Sequence, residues 1–173
     1  IEGETIAQIG VDLEPGSAKV VDATGKLILP GGIDPHVHLD LPMFGTVSSD
    51  DHYTGHKAAA FGGTTTVMDF VVQEKQGFKH SVDVWMEMAQ KAAIDYSFHM
   101  NLTYFDDKVA KEIPSLMDLG INTLKVFTAY NGRLRLDDGG IFRALRIAKD
   151  NGMLVMAHCE NGDVIDTLIP EAL

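Results

Sequence analysis

Residues 31–72 read GGIDPHVHLDLPMFGTVSSDDHYTGHKAAAFGGTTTVMDFVV. An apolar run leads into a polar loop, an alanine-rich stretch stops at two glycines, and a second apolar run follows. Strand, helix and strand in that order make one βα unit and the start of the next, and strands joined through a helix lie parallel. His36 and His38 stand one residue apart in the first run, two of the seven histidines in the chain. On an extended strand, positions i and i+2 share a face. Two imidazoles side by side fill a core poorly and hold a metal ion well. Two ligands do not close a site, so others are needed.

The same texture recurs downstream. Apolar runs at 98–105, 122–130 and 152–160 join those at 31–39 and 64–72, spaced by about 25–35 residues, the span of a βα unit. Helical periodicity lies between them. Residues 50–63 carry alanine-rich helix formers, and 81–94 open on Ser81 as an N-cap with Val84, Met88 and Ala92 along one seam. Residues 106–120 and 137–152 each end in glycine, and Pro114 marks a kink or a second start. Neither GxGxxG nor GxxxxGK[ST] occurs, which removes the usual nucleotide-binding readings. The class is α/β. Periodicity leaves open whether the parallel strands form an open sheet or most of an eight-unit barrel. Residues 1–29 differ: β-branched runs broken by EPGS and ATGK predict two or three antiparallel strands, a domain separate from 30–173.

Bulk properties exclude several functions. With 45% apolar and 23% charged residues, the chain is an ordinary globular sequence. A net charge of −11 argues against a nucleic-acid or anionic-membrane surface. No apolar run approaches the ~18 residues of a membrane span, and no signal-peptide pattern opens the chain. The single Cys159 excludes an intramolecular disulfide, and the cytoplasm is the expected compartment. The chain starts at Ile1 inside a strand pattern and stops inside a helical one, the expectation being a piece of a longer protein.

In parallel α/β folds, function gathers at the carboxyl ends of the strands. Near those ends lie His36 and His38, then Asp69, then His99 and Asn101, then His158, while the fourth strand carries Lys125 in its middle. Lys125 sits between Leu124 and Val126. As a cation in a buried strand it is expensive, so either the strand is an edge and the amine reaches water, or burial lowers its pKa. A neutral amine reacts with carbon dioxide to give a carbamate, whose two oxygens can bridge two metal ions. His52 and His56 read as a solvent-facing pair on a helix, His80 as an exposed loop residue, His99 as a hydrogen-bonded core residue and Cys159 as a small core residue.

Taken together, residues 31–71, LKVFTAYNGRL (124–134) and MLVMAHCEN (153–161) closely resemble the D-hydantoinase and dihydropyrimidinase branch of the cyclic amidohydrolases. The resemblance runs over essentially the whole chain. It implies a (β/α)8 barrel, of which about five units are present, preceded by part of a small β-sandwich at 1–29. It implies two divalent ions, zinc by preference, with His36 and His38 on one ion, His158 on the other and a carbamate on Lys125 bridging both. Tyr130 would then point its hydroxyl at the substrate carbonyl. The implied reaction is ring opening of 5-substituted hydantoins or dihydropyrimidines by a metal-bridging hydroxide, in a tetrameric enzyme that binds neither nucleic acid nor membrane. The family pattern also needs a histidine on strand six and an aspartate on strand eight, beyond this chain, so the segment alone is expected to be inactive. An allantoinase-type enzyme is the neighbouring alternative; dihydroorotase is disfavoured because no arginine follows the first strand. A non-catalytic adaptor of the collapsin-response type is disfavoured by the presence of all four metal-site residues.

Overall fold

Alternation along each strand decides which side chains meet the helices and which face the site. The computed structural model describes residues 1–43 and 45–172; Phe44, within the 31–71 stretch that carries the resemblance, lies outside the described residues. The elements run β1 (Gly32–Asp34), a small antiparallel ribbon of β2 (Pro42–Met43) and β3 (Thr46–Val47), α1 (His52–Phe61), β4 (Thr64–Val72), α2 (Phe78–Met88), β5 (Asp95–Asn101), α3 (Asp107–Glu112), β6 (Thr123–Phe127), α4 (Asp138–Asp150), β7 (Leu154–His158) and α5 (Gly162–Ala172). Strands β1, β4, β5, β6 and β7 pair in parallel in that order. Chain order equals spatial order, as successive βα units winding one way require, and the curled five-stranded sheet is part of a (β/α)8 barrel.

The chain divides into two compact units, Ile1–Pro30 and Gly31–Leu173. In the larger, Val71, Phe98, Met100, Leu124 and Val126 point to the helices and form the core with Val82, Trp85, Ile113, Leu116, Ala144 and Ala148. The intervening positions, Phe70 and Val72, His99 and Asn101, Thr123 and Lys125, and His158, face the opposite side. Polar side chains are thus confined to one face of β5 and β6 by the two-residue period.

Several expectations are corrected here. Helix α2 starts at Phe78, not Ser81: Ser81 is buried inside it, donating to the Gly77 carbonyl and accepting from the Glu74 amide. Its buried face is Phe78, Ser81, Val82 and Trp85, with Val84 and Met88 on the flank, because Trp85 supplies the large apolar area that orients the helix. Pro114 does mark a second start, a 3₁₀ segment from Ile113 to Leu119 that ends on left-handed Gly120. Strand β5 begins three residues earlier than the run 98–105 suggested and ends at Asn101. The smaller unit carries one isolated antiparallel bridge, Glu2 with Thr5, instead of two or three strands. Ile6, Ile9, Val11, Val20, Val21, Leu27 and Ile28 are all exposed. An isolated ribbon with no covered apolar face is marginal in water, which accounts for the missing pairing.

Candidate metal centre

Strand β1 stops at Asp34, so His36 and His38 lie on the segment just past it and not on the strand itself. That segment stays extended because alternate residues are tied down. Pro35 offers its carbonyl to His99 Nε2 (2.9 Å), the Val37 amide donates to the Met68 carbonyl (3.1 Å), and the Leu39 amide donates to Asp69 Oδ2 (3.3 Å). Positions 35, 37 and 39 therefore hold the segment to the sheet and leave 36 and 38 facing the other way. The Asp34 carboxylate accepts the His36 amide (3.0 Å). The two imidazoles meet edge to face, 5.2 Å between centroids, and both lean on the Phe70 ring. Loss of solvation, then the nearby cationic groups, lowers both imidazole pKa values, against a smaller opposing pull from Asp34 on His36, and favours the neutral, metal-binding form.

His99 shows how the support is fixed. A carbonyl only accepts, so Nε2 carries the proton toward Pro35 and Nδ1 accepts from the Thr123 hydroxyl. His99 is a buried, hydrogen-bonded residue, as its strand position predicted.

Lys125 lies on β6, between β5 and β7, so the edge-strand alternative is excluded. Its residue is 7% exposed, and among the described residues no carboxylate pairs with its amine. The amine lies 4.9 Å from the Phe127 ring centroid and 5.7 Å from that of Phe70. Burial pulls its pKa down. His158 ends β7 beside Phe127, its partner in register, and its Nε2 meets Glu160. Tyr130 completes the group with a left-handed φ of 65°, 39% exposed, its ring 5.6 Å from that of His158. Its carbonyl accepts from the amides of Arg133, Leu134 and Arg135, and Leu136 then donates back to Phe127.

One pocket of about 290 Å³ collects these residues. His36, His38, Asn101, Lys125, Tyr130 and His158 supply its polar wall; Leu41, Met43, Phe70, Val72, Phe127 and Leu134 supply the apolar one. All five site residues singled out from the sequence thus line a single cavity. Asn101 was noted only as a strand-end residue; its alternation with His99 was the available signal.

The other histidine pair departs from expectation. His52 and His56 are both 0% exposed, not solvent-facing. Helix α1 approaches closely because residue 55 is glycine: a Cβ there would lie 2.4 Å from Leu39 Cδ2. His52 Nδ1 meets Asp40 Oδ2 at 2.9 Å, and His56 Nδ1 accepts the amides of Ala93 and Ile94. Asp69 does not end its strand; it points toward His52, and burial raises its pKa to about 6. Cys159 is exposed, because β7 ends one residue earlier. His80 is exposed as expected, although it lies within α2.

The site is that of a parallel half-barrel, with a His-x-His segment just past its first strand and polar side chains from later strands lining one cavity. The Amidohydrolase family profile matches residues 27–168, and the chain belongs to that family. It is 48% identical over its whole length to the D-hydantoinase of Geobacillus stearothermophilus, spanning 37% of that protein. It is 36% identical to human dihydropyrimidinase-related protein 5, spanning 31% of it. The crystal structure of dihydropyrimidinase from Brevibacillus agri superposes with a TM-score of 0.95 at 49% identity, over 99% of this chain and 38% of that one. The chain therefore spans about a third of the length of these relatives. No helix among the described residues is long and apolar enough to cross a membrane.

Proposed function

We propose that the full-length protein carrying this chain is a metal-dependent cyclic amidohydrolase that opens 5-substituted hydantoins or dihydropyrimidines. The observation that carries this reading is the convergence of His36, His38, Lys125 and His158 on one pocket at the strand ends, together with the similarity to D-hydantoinases and dihydropyrimidinases.

The donor set fits two divalent cations, zinc being the natural choice for imidazole and oxygen ligands. Counting His, Cys, Asp and Glu alone, the described residues gather no group of three able to hold an ion. A carbamate on Lys125 would add an oxygen to each ion, and the histidine of strand six and aspartate of strand eight expected beyond this chain would complete the set. Bound ions would act as Lewis acids and lower the pKa of coordinated water. His36 and His38 would bind one ion, His158 the other, and the Lys125 carbamate both. Tyr130 would donate its hydroxyl to the carbonyl oxygen as charge develops there, and Phe70, Phe127 and Leu134 would exclude water from the bound ring. Overall, water adds across one ring C–N bond: the carbonyl carbon takes the hydroxyl, the leaving nitrogen takes one proton as a neutral N–H, and the new carboxylic acid ionises to solvent.

The finer assignments belong to the same proposal: residues 1–29 as part of a small β-sandwich, a cytoplasmic homotetramer, and no nucleic-acid or membrane partner. Residues 1–173 alone are proposed to be inactive, since β1 and β7 have no outer partner strand among the described residues. Dihydrouracil and phenylhydantoin turnover by the full-length protein, measured with metal analysis, tests the reading. Two ions per chain and chelator-sensitive ring opening are expected. A metal-free protein with no turnover would replace it with the non-catalytic adaptor reading.

A further inference from the structure

A second side chain in the pocket carries an unexplained feature. Asn101 is 4% exposed, and its Oδ1 is buried with no hydrogen-bond partner. Burying an acceptor without a donor costs about 1–3 kcal/mol, so such an atom calls for an explanation. Asn101 is the Cα partner of Lys125 across the parallel β5–β6 ladder, with Val72 paired on its other side. Paired residues of neighbouring strands face the same way and lie about 4.8 Å apart, and both side chains line the same cavity. The acceptor lacking a donor and the amine lacking a carboxylate are thus next-door neighbours on one rung.

We propose that Asn101 is the positioning residue for carboxylation of Lys125, its Oδ1 accepting the N–H that the carbamate retains. This rests on the carbamate reading of Lys125 given above. The step balances as follows. The Nζ lone pair attacks carbon dioxide, a C–N bond forms, one amine proton leaves to solvent, and the product R–NH–COO⁻ keeps one N–H. That N–H needs an acceptor in a site where water is largely excluded. The Asn101 oxygen, a neutral dipole, supplies it without adding a second negative charge beside the new carboxylate. In the free amine the same oxygen adds no charge that would hold Lys125 as an ammonium, so the reactive form stays available.

The full-length protein, loaded with Zn²⁺ and supplied with ¹³C-bicarbonate, is examined by ¹³C NMR for the carbamate carbon as bicarbonate is titrated. Asn101→Leu, close in size but without the acceptor, is expected to raise the half-saturating bicarbonate about tenfold, the worth of one such hydrogen bond. Asn101→Gln keeps a neutral acceptor oxygen and is expected to stay within about threefold of the parent. Asn101→Ala must shift in the same direction as the leucine variant, which covers the case in which leucine perturbs folding. A carbamate signal with unchanged bicarbonate dependence in Asn101→Leu or Asn101→Ala overturns the role of Asn101 and leaves Lys125 standing. Absence of any carbamate signal in the parent protein overturns the Lys125 reading, and this inference with it.

Discussion

Two histidine pairs occupy neighbouring parts of the same unit and do opposite things. His36 and His38 sit on an extended segment past β1, their rings in contact with each other and with Phe70 at the wall of a cavity. His52 and His56 sit one helical turn apart in α1, wholly enclosed, each with one ring nitrogen committed to Asp40 or to backbone amides. On the proposed reading, the first pair keeps its ring nitrogens for a metal ion. The second spends each Nδ1 on the chain itself, tying α1 to the segment after His38 and to the turn before β5, and leaves each Nε2 buried without a hydrogen-bond partner among the described residues. Spacing alone does not separate these cases, since i,i+2 and i,i+4 both bring rings together; what separates them is whether the shared face meets a cavity or another element.

The sharpest way to break the contrast is to remove one ring from each pair in the full-length protein. His38→Ala is expected to lose bound metal and to lower kcat/KM by at least ~100-fold, with the melting temperature of the metal-free form little changed. Equal metal content and activity in that variant would put both pairs in the same structural role.

Asp69 lies between the pairs, accepting the Leu39 amide on one side and facing His52 on the other. Its folded pKa of about 6 lies above the ordinary 3.8. Between those values the folded chain holds a proton that the unfolded chain has released, so stability is greatest below the lower value and falls as pH rises through the higher one. The loss is about 3 kcal/mol over that window, and Asp69→Asn is expected to flatten it. Urea midpoints at several pH values check this; an unchanged pH slope in the variant would remove Asp69 as the source.

His56→Ala strands the amides of Ala93 and Ile94 and should cost about 2 kcal/mol in a denaturant titration, while leaving metal stoichiometry intact. The smallest effect is expected at Cys159. Exposed beyond the end of β7, it should react with a thiol reagent in the native state, and Cys159→Ser should change stability by less than about 0.5 kcal/mol.

Much of this arrangement was written in local pattern. The apolar runs at 64–72 and 122–130 located strands because parallel strands bury both faces, and Lys125 stood out because it interrupts such a run. The burial of His52 and His56 was hidden because it depends on Gly55 letting α1 close on Leu39, a contact between elements that no helical periodicity encodes. Cys159 was misplaced for a similar reason: inside-outside alternation holds only as far as the strand does, and β7 ends at His158. The bridge at Glu2 and Thr5 makes the complementary point, that β-branched composition predicts strands only where a second layer covers them.

Tyr130 carries a further lesson for engineering. Its carbonyl gathers three successive amides, and the chain returns to Phe127, the residue from which it left the sheet. The excursion is a closed noose of fixed circumference, with the phenol mounted at its most contorted corner. Lengthening or trimming it by one residue would swing the phenol off its bearing before any side chain was exchanged, so this stretch should tolerate changes of letter far better than changes of length.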